Sequence, residues 1–186
     1  KFSIDISKAV KAGNNIIAIR VNNNWRPDVA PRAGEHTFSG GIYRDVRLVI
    51  TDNTYLDWYG IWITTPSLES TEGKRSNVNA KTRVVNSSNE IADLSLAQIV
   101  LDINNKIVAK VICKKRLYPN QVWNSDETTE AINSPSLWSP DSPNLYTLKT
   151  VLYNKGRVID SKINKFGFRW FKFTADKGFF LNGKHL

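Results

Sequence analysis

The fold of this chain is decided by residues 94–117, which read LSLAQIVLDINNKIVAKVICKKRL. Apolar side chains recur at about every second position on both sides of Asn104-Asn105, which is the period of a β-strand with one buried face. Asparagine tolerates the positive φ that a tight hairpin turn demands. The stretch therefore predicts two antiparallel strands, 94–103 and 107–117, joined by a turn at Asn104-Asn105.

Similar short runs continue on both sides of this hairpin, separated by Asn, Asp, Gly and Pro clusters. They predict strands at 55–65, 78–85, 145–153 and 158–163, with a turn at residues 154–156 between the last two. In the first of these runs Trp58, Gly60 and Trp62 share one face and Tyr59, Ile61 and Ile63 the other, which predicts that both faces are covered. Some 110 residues of short strands with regularly spaced turns predict an immunoglobulin-like β-sandwich over 53–165.

Two shorter blocks flank the sandwich. Residues 1–52 predict one helical turn at 7–13, with Ser7 as N-cap and Gly13 as the stop, and strands at 14–21 and 42–50. This block is typical of the end of a β-domain whose earlier strands are missing. Residues 166–186 contain Phe166, Phe168, Trp170 and Phe173, too apolar for a free tail, and we expect them to need a partner outside this sequence.

The composition excludes several classes of protein. The 186 residues include one Cys and two His, so an internal disulfide and a structural zinc site are excluded, and we expect no metal and no cofactor. No apolar run approaches the roughly 18 residues of a spanning helix, and no basic start followed by an apolar stretch marks a signal peptide in these residues. The chain contains no Met, which predicts a piece of a longer protein.

The charges do not form a nucleic-acid interface. The formal net charge is +9, but the cations are interleaved with acids, and the one true run is Lys114-Lys115-Arg116. Lysines that protect an exposed edge strand explain that run more simply than phosphate contacts do. On the same strand Cys113 shares a face with Ala109 and Val111, which predicts a buried thiol without chemical function.

Three motifs have both a functional and a structural interpretation. The Gly178–Lys184 spacing is close to a phosphate-binding loop, yet bulky residues fill it, and a β-hairpin turning at Asn182-Gly183 is favoured. Asn89-Glu90 resembles the acid/base pair of a glycosidase, but it lies in a polar turn that begins with the glycosylation sequon at Asn86. Pro135–Tyr146 carries three prolines within nine residues. They predict a rigid, extended connection, which we name the crossing, whose Leu137 and Trp138 side chains insert into the protein.

One loop is a candidate for substrate contact. Residues 22–41 are rich in Gly, Pro and Asn and contain Glu35-His36. Loops that are supported by sheets are where ligands are most often met. A plain surface loop is the alternative.

Four segments, in order along the chain, resemble glycoside hydrolase family 2, the family of β-galactosidases, β-glucuronidases and β-mannosidases. They are Ala12-Gly-Asn-Asn-Ile-Ile-Ala-Ile-Arg-Val21, Gly40-Gly-Ile-Tyr-Arg-Asp-Val46, Pro135–Tyr146, and Phe166-Gly-Phe-Arg169 with Phe180-Leu-Asn-Gly-Lys184. The resemblance implies an all-β chain: 1–52 is the C-terminal part of a jelly-roll sugar-binding domain, 53–165 is the immunoglobulin-like sandwich without a disulfide, and 166–186 is the hairpin that opens an absent catalytic (β/α)₈ barrel.

The resemblance also implies a reaction and the places of its residues. Family members are retaining enzymes that use two carboxylates about 5 to 5.5 Å apart. Both lie on later barrel strands, so no catalytic residue is expected in this chain. In some β-galactosidases an acidic residue of the loop before the Gly-Ile-Tyr-Arg strand reaches the sugar, and Glu35 falls near that position as the one candidate substrate-binding residue.

The functional hypothesis is a non-catalytic fragment of a β-galactosidase-type exo-glycosidase that acts in carbohydrate metabolism. Its partners are a carbohydrate substrate, through the intact enzyme, and the missing jelly-roll and barrel domains; neither nucleic acid nor a membrane span is expected. The alternative is a stand-alone carbohydrate-binding or adhesive module that stacks sugars on exposed aromatics such as Trp25. Export from a bacterium, to the periplasm or the medium, fits an enzyme that digests extracellular glycans.

Overall fold

The structure is a computed structural model that describes residues 3–24, 26, 28 and 40–186. By its internal contacts the chain divides into two units, residues 1–49 and 50–186. The second unit holds all the strands of the described residues: β1 (Thr54–Thr64), β2 (Arg75–Ser76), β3 (Asn79–Asn86), β4 (Ala92–Leu101), β5 (Ile107–Leu117), β6 (Val122–Thr128), β7 (Ile132–Asn133), β8 (Tyr146–Asn154), β9 (Arg157–Phe166), β10 (Phe171–Thr174), β11 (Gly178–Leu181) and β12 (Lys184–His185).

Two antiparallel sheets form the sandwich. One has the strand order β1-β3-β6 and the other β5-β4-β8-β9. Three strands facing four, with the first, second and fifth long strands in one sheet, is the arrangement of immunoglobulin-like domains. The predicted all-β sandwich is thereby confirmed. The short strands β2 and β7 pair with each other beside it.

Alternating residues of the two sheets fill the space between them. One cluster of buried side chains includes Val78, Val100 and Leu148, and a second includes Val84 and Leu96. All five are completely shielded from solvent. Burying each such side chain contributes about 1.5–3 kcal/mol to folding, so these clusters supply the main stabilising term of the sandwich.

A buried amide links the two sheets where no disulfide is present. Gln98 on β4 has no exposed surface, and its Nε2 donates to the Ala80 carbonyl at 3.2 Å and to Thr82 Oγ1 at 2.9 Å on β3. The single cysteine, Cys113, is a free thiol, half-buried on β5. The thiol that was predicted to be buried is half-buried, packed against the second core cluster.

The predicted turns lie where the sequence places them. Asn105 has φ 61° between β4 and β5, and Lys155 and Gly156 have φ 49° and 82° between β8 and β9. Asn182 and Gly183, with φ 51° and 77°, join β11 to β12. The Lys114–Arg116 run lies on β5, which is an edge strand of its sheet, as predicted.

Strand β1 corrects the prediction that both of its faces are covered. Ile61 and Ile63 pack against the core, but Trp58, Tyr59 and Trp62 are 41, 71 and 67% exposed. The regular pairing of β1 with β3 is interrupted between Leu56 and Ile61, and outside that bulge one face of this edge strand remains in solvent.

The first unit also differs from its prediction. Residues 14–21 and 42–50 form no strand, and their side chains are exposed, because an apolar alternation becomes a strand only beside a partner ladder and the described residues of this unit provide none. A single turn does occur, where Ala9 and Val10 both donate to the Ile6 carbonyl. The predicted cap is displaced by two residues, since Asp5 Oδ1 accepts from the Ser7 amide at 2.9 Å. The assignment of 1–52 to a jelly roll stays a prediction.

Residues 166–186 form a three-stranded meander, with the order β10-β11-β12. The expectation that its aromatic side chains all need an outside partner is wrong for three of the four. Phe168 is fully buried in the sandwich core, and Phe166 and Trp170 pack against the same cluster. Phe173 is 71% exposed. The start of this segment therefore belongs physically to the sandwich, and the assignment of its end to a barrel stays a prediction.

Candidate functional site

The Pro135–Tyr146 crossing folds back on itself as a rigid loop. The Ser139 amide donates to the Ser142 carbonyl at 3.0 Å, and Trp138 forms a β-bridge with Pro143. Asn144 Nδ2 donates to the Leu137 carbonyl at 2.9 Å. These bonds satisfy backbone groups that have no partner in a β-ladder beside the prolines. Contacts within the loop therefore fix its conformation.

The base of the loop is tied to the sandwich core by an aromatic cluster. The Tyr146 hydroxyl accepts from the Ser136 amide at 3.0 Å. Its ring meets that of the fully buried Phe168 edge-on, with centroids 4.7 Å apart, and the Phe166 ring lies 5.4 Å from Phe168. Such edge-to-face pairs add about 0.5–1.5 kcal/mol beyond the area they bury. The loop and the start of the meander thus share one anchor.

A set of contacts that we name the clamp joins the crossing to the meander. Leu137 forms a parallel β-bridge with Phe168, and the Trp138 amide donates to the Phe168 carbonyl at 2.8 Å. The Arg169 guanidinium lies over the Trp138 ring, 4.4 Å from its centroid. This cation–π contact holds the indole from its outer side.

Gly167 sets the closeness of the clamp. A Cβ at this position would lie 2.6 Å from Trp138 Cβ, inside any van der Waals contact distance. Only glycine allows the two backbones to approach this far. Each residue of the Phe-Gly-Phe-Arg string has a physical role. Phe168 is buried in the core, Gly167 leaves space for the Trp138 side chain, and the Arg169 guanidinium lies over the Trp138 ring.

Asn182 closes the clamp from the far end of the meander. Its Nδ2 donates to the Trp138 carbonyl at 2.9 Å, and its Oδ1 accepts from the Trp170 amide at 3.2 Å. Its own amide donates to the Trp170 carbonyl at 2.9 Å. The left-handed φ of 51° at Asn182 aims the side chain back at the crossing. One turn residue therefore fixes β10 and β11 to the sandwich.

A second polar centre is Asn86, at the end of β3. The side chain is fully buried; its Oδ1 accepts from Thr54 Oγ1 and Ser88 Oγ, and its Nδ2 donates to the carbonyls of Glu90 and Leu117. Because the amide is buried and bonded, the sequon has a structural role in the folded chain. The solvated turn predicted for 86–90 is correct at Glu90, which is exposed, but not at Asn86.

The turn after Asn86 borders an open polar cavity of about 410 Å³, to which Asp52, Asn53, Asn89 and Lys155 also contribute. The lining is polar and includes two carboxylates, those of Asp52 and Glu90. Within the described ranges, no three His, Cys, Asp or Glu side chains lie close enough to share a metal ion.

The electrostatics of the described residues do not resemble those of an acid/base centre. A general acid at neutral pH needs a raised carboxyl pKa. Instead, hydrogen bonds lower the carboxyl pKa of Asp5, from Ser7, and of Asp126, from Asn79 and then Lys81. Every resolved shift of a described carboxyl group is downward. A lowered pKa keeps these carboxyl groups ionised at neutral pH, which suits an acceptor of hydrogen bonds better than a general acid.

Two other groups with shifted pKa values, Cys113 and Lys162, are also structural. Burial raises the pKa of the Cys113 thiol to about 11, which suppresses the reactive thiolate. Burial lowers the pKa of Lys162, whose Nζ donates to the Asp57 carbonyl at 2.8 Å across the gap between β9 and β1. Lys162 thus joins the edges of the two sheets.

The predicted substrate residue Glu35 lies outside the described residues, as do His36 and Trp25, so its role stays a prediction. The phosphate-loop interpretation of 178–184 is replaced by the predicted hairpin, in which Leu181 pairs with Lys184. A helix with the length and apolarity to cross a bilayer does not occur in the part of the chain that the structure describes.

Comparison with known proteins assigns this sequence to a family. The sequence profile of glycosyl hydrolases family 2 matches residues 54–169, from the first residue of β1 to Arg169 of the clamp. The chain belongs to glycosyl hydrolases family 2. The match covers more than half of the chain, and the predicted family is confirmed.

Relatives within family 2 carry two different names. The chain is 36% identical to a β-glucuronidase of Bacteroides fragilis and 30% identical to the β-galactosidase BoGH2A of Bacteroides ovatus. These alignments cover 100 and 98% of the chain but only 27 and 21% of the relatives. A crystal structure of a Bacteroides uniformis β-glucuronidase aligns with a TM-score of 0.81 at 31% identity, over 88% of this chain and 20% of that one. The chain spans about a fifth to a quarter of the length of such family 2 proteins.

The two motifs of the clamp are visible in the sequence, but their contact is not. Both strings resemble segments of family 2, and the three prolines predict a rigid crossing. The partnership of Trp138 with Gly167 and Asn182 depends on a path through the sandwich of some 30 to 44 residues. The signal that could have found it is Asn-Gly at 182–183, where the side chain of the first turn residue is free to bond outward.

Proposed function

We propose that this chain is the non-catalytic buttress of a retaining exo-glycosidase. The observation that carries the proposal is the family 2 match over 54–169, which includes the sandwich and most of the clamp. A glycosidase pocket assembled from several domains needs each of them held within a fraction of an ångström of its working position. The clamp, by fixing 166–186 on the sandwich, has the geometry for that task.

The proposed reaction is hydrolysis of a terminal β-linked sugar with retention of configuration. It requires a nucleophile and an acid/base carboxylate about 5 to 5.5 Å apart. We place both outside these 186 residues. The carboxyl groups with a resolved pKa shift, which is downward in each case, support that placement.

β-Glucuronides are the first candidate substrates and β-galactosides the second. The relative named β-glucuronidase is 36% identical and the one named β-galactosidase is 30% identical. The order follows the sequence similarity alone, because Glu35, the one candidate substrate-binding residue, lies outside the described residues. Export to the periplasm or the medium remains part of the proposal, as it fits an enzyme for extracellular glycans.

The test compares the 186-residue chain with the product of the complete reading frame. Both are assayed with the p-nitrophenyl β-glucuronide and the p-nitrophenyl β-galactoside. We expect turnover of one of them by the longer protein and none by the 186-residue chain. Turnover by the short chain would overturn the non-catalytic assignment, and a longer protein inactive on both glycosides would overturn the proposed substrates.

A titration of the same chain with galactosides and β-linked oligosaccharides separates the buttress from a binding module. A buttress binds none of them in the micromolar range. Saturable micromolar binding by the chain, together with an inactive longer protein, would support the stand-alone carbohydrate-binding module instead.

A further inference from the structure

The outer face of the sheet β5-β4-β8-β9 carries an open groove of about 820 Å³ that the proposed buttress role does not use. We name it the basic groove. Its floor is formed by Ser95, Ala97 and Ile99 on β4 and its outer wall by Lys110, Ile112 and Lys114 on β5. Ala97 is paired with Ile112, Ile99 with Lys110 and Ser95 with Lys114. The small side chain of Ala97 leaves the hollow between the taller neighbours.

The groove carries unneutralised positive charge. Lys110, Lys114, Lys115 and Arg116 all line it, and the one lining carboxylate, Asp93, pairs with Arg116 at 2.7 Å. None of the ion pairs among the described residues involves the three lysines, and all three are exposed. Low-dielectric walls around one sign of charge raise the local concentration of oppositely charged ligands.

The lysines are arranged for a linear ligand. Lys110 and Lys114 lie on the same face of β5, four residues and therefore roughly 13 Å apart along the strand. β5 is an edge strand, so the groove is open along its length and at its side. A row of this kind suits an extended polymer with repeating negative charges better than a small compact anion.

The lining between the charges is apolar but not aromatic-rich. Ile99 and Ile112 provide aliphatic surface, and Tyr153 is the one aromatic residue among the described residues that line the groove. Single-stranded nucleic acids are held by rows of aromatic side chains that stack on bases, and such a row is missing from this lining. The lining therefore lacks the stacking surface of a single-stranded nucleic-acid site.

We propose that the basic groove binds an acidic polysaccharide, a chain of sugars that bear carboxylates, outside the catalytic pocket. The choice of a sugar polymer over an acidic protein rests on the proposed function, since an enzyme of family 2 meets glycans as it works. The groove would hold the polymer near the enzyme while its end is processed.

The probe is polygalacturonate, and its fully methyl-esterified form is the matched ligand without charge. Binding to the 186-residue chain is measured by isothermal titration at low salt. We expect saturable binding of polygalacturonate, little binding of the ester, and loss of binding at about 1 M salt, where the screening length falls to about 3 Å.

Two variants locate the site. Each exposed ion pair contributes up to about 1 kcal/mol, so K110Q/K114Q should weaken binding about three- to thirtyfold, and I112E, which adds a charge between the two lysines, should weaken it as well. The matched control K172Q/K177Q removes two exposed lysines from the meander and should leave binding unchanged. Thermal melting checks that each variant is folded.

Several results would overturn the proposal. Equal affinity for polygalacturonate and its ester, equal losses in K110Q/K114Q and K172Q/K177Q, or tighter binding of poly-glutamate or of single-stranded DNA would each exclude an acidic glycan as the occupant. Hydrolysis by the longer protein is assayed separately. An active longer protein whose groove binds nothing refutes the groove alone, and a binding groove on an inactive protein refutes the enzyme alone.

Discussion

Replacing Asn182 by glycine tests whether the clamp fixes the meander to the sandwich. Asn182 has φ 51°, and glycine adopts this conformation without strain. The substitution therefore keeps the turn but removes the two side-chain hydrogen bonds, to the Trp138 carbonyl at 2.9 Å and from the Trp170 amide at 3.2 Å. No core residue is changed.

The expected magnitude follows from those two bonds. A hydrogen bond contributes a net 0.5–1.5 kcal/mol or so, which gives about 1–3 kcal/mol for the pair. Since 1.4 kcal/mol is a factor of ten in an equilibrium constant, the open population of the meander should rise about five- to hundredfold. The global melting temperature should change little, because the buried clusters of the sandwich are untouched.

Hydrogen exchange and limited trypsin digestion measure the two effects separately. Amides of β10 and β11 should exchange faster in N182G, and cleavage at Lys172 and Lys177 should accelerate, while β4 and β8 keep their protection. K155G is the matched control, because Lys155 has φ 49° in the β8–β9 turn, far from the clamp in sequence. Unchanged exchange in the meander of N182G, or the same increase in K155G, would refute the clamp.

Three more substitutions or modifications test other parts of the structure. N86A should lower the free energy of unfolding by about 3 kcal/mol in urea denaturation, because it leaves buried carbonyls such as that of Leu117 without a donor; a loss below about 1 kcal/mol would contradict this. The pKa of the Cys113 thiol is about 11, against an ordinary 9.0. At pH 8 the thiolate fraction, and with it the rate of reaction with DTNB, should therefore be about a hundredfold lower than in the unfolded chain. Equal rates in the folded and unfolded chains would be incompatible with burial of the thiol. G60A should cost about 1–3 kcal/mol, since its Cβ would lie 3.0 Å from that of Arg83; an unchanged melting temperature would show that the bulge yields.

Local signals predicted the parts of the fold that are decided locally. The turns at Asn104-Asn105, 154–156 and Asn182-Gly183 were predicted because few residues tolerate positive φ, and the backbone at each turn adopts it. The strand predicted at 107–117 coincides with β5, because the turn at Asn104-Asn105 precedes its start and Pro119 follows its end. These features depend on chemistry within a few residues.

The parts that sequence reasoning missed depend on distant partners. Strand β6 reads VWNSDET, which has almost no apolar alternation, and it is a strand because it pairs with β3. The stretch 14–21 has the alternation but no ladder. The clamp and the Asn86 centre join residues tens of positions apart, and the candidate Glu35 falls outside the described residues. A strand or a site can be predicted only when the segment that pairs with it can also be recognised in the sequence.

The amide of Gln98 gives the sandwich an independence from redox conditions. Disulfide-bridged sandwiches need an oxidising compartment to fold and lose stability when reduced. Here the two sheets are joined by hydrogen bonds from Gln98 to β3, and the chain has one cysteine. The sandwich therefore does not depend on a disulfide, and we expect the same melting temperature in reducing and in oxidising buffer.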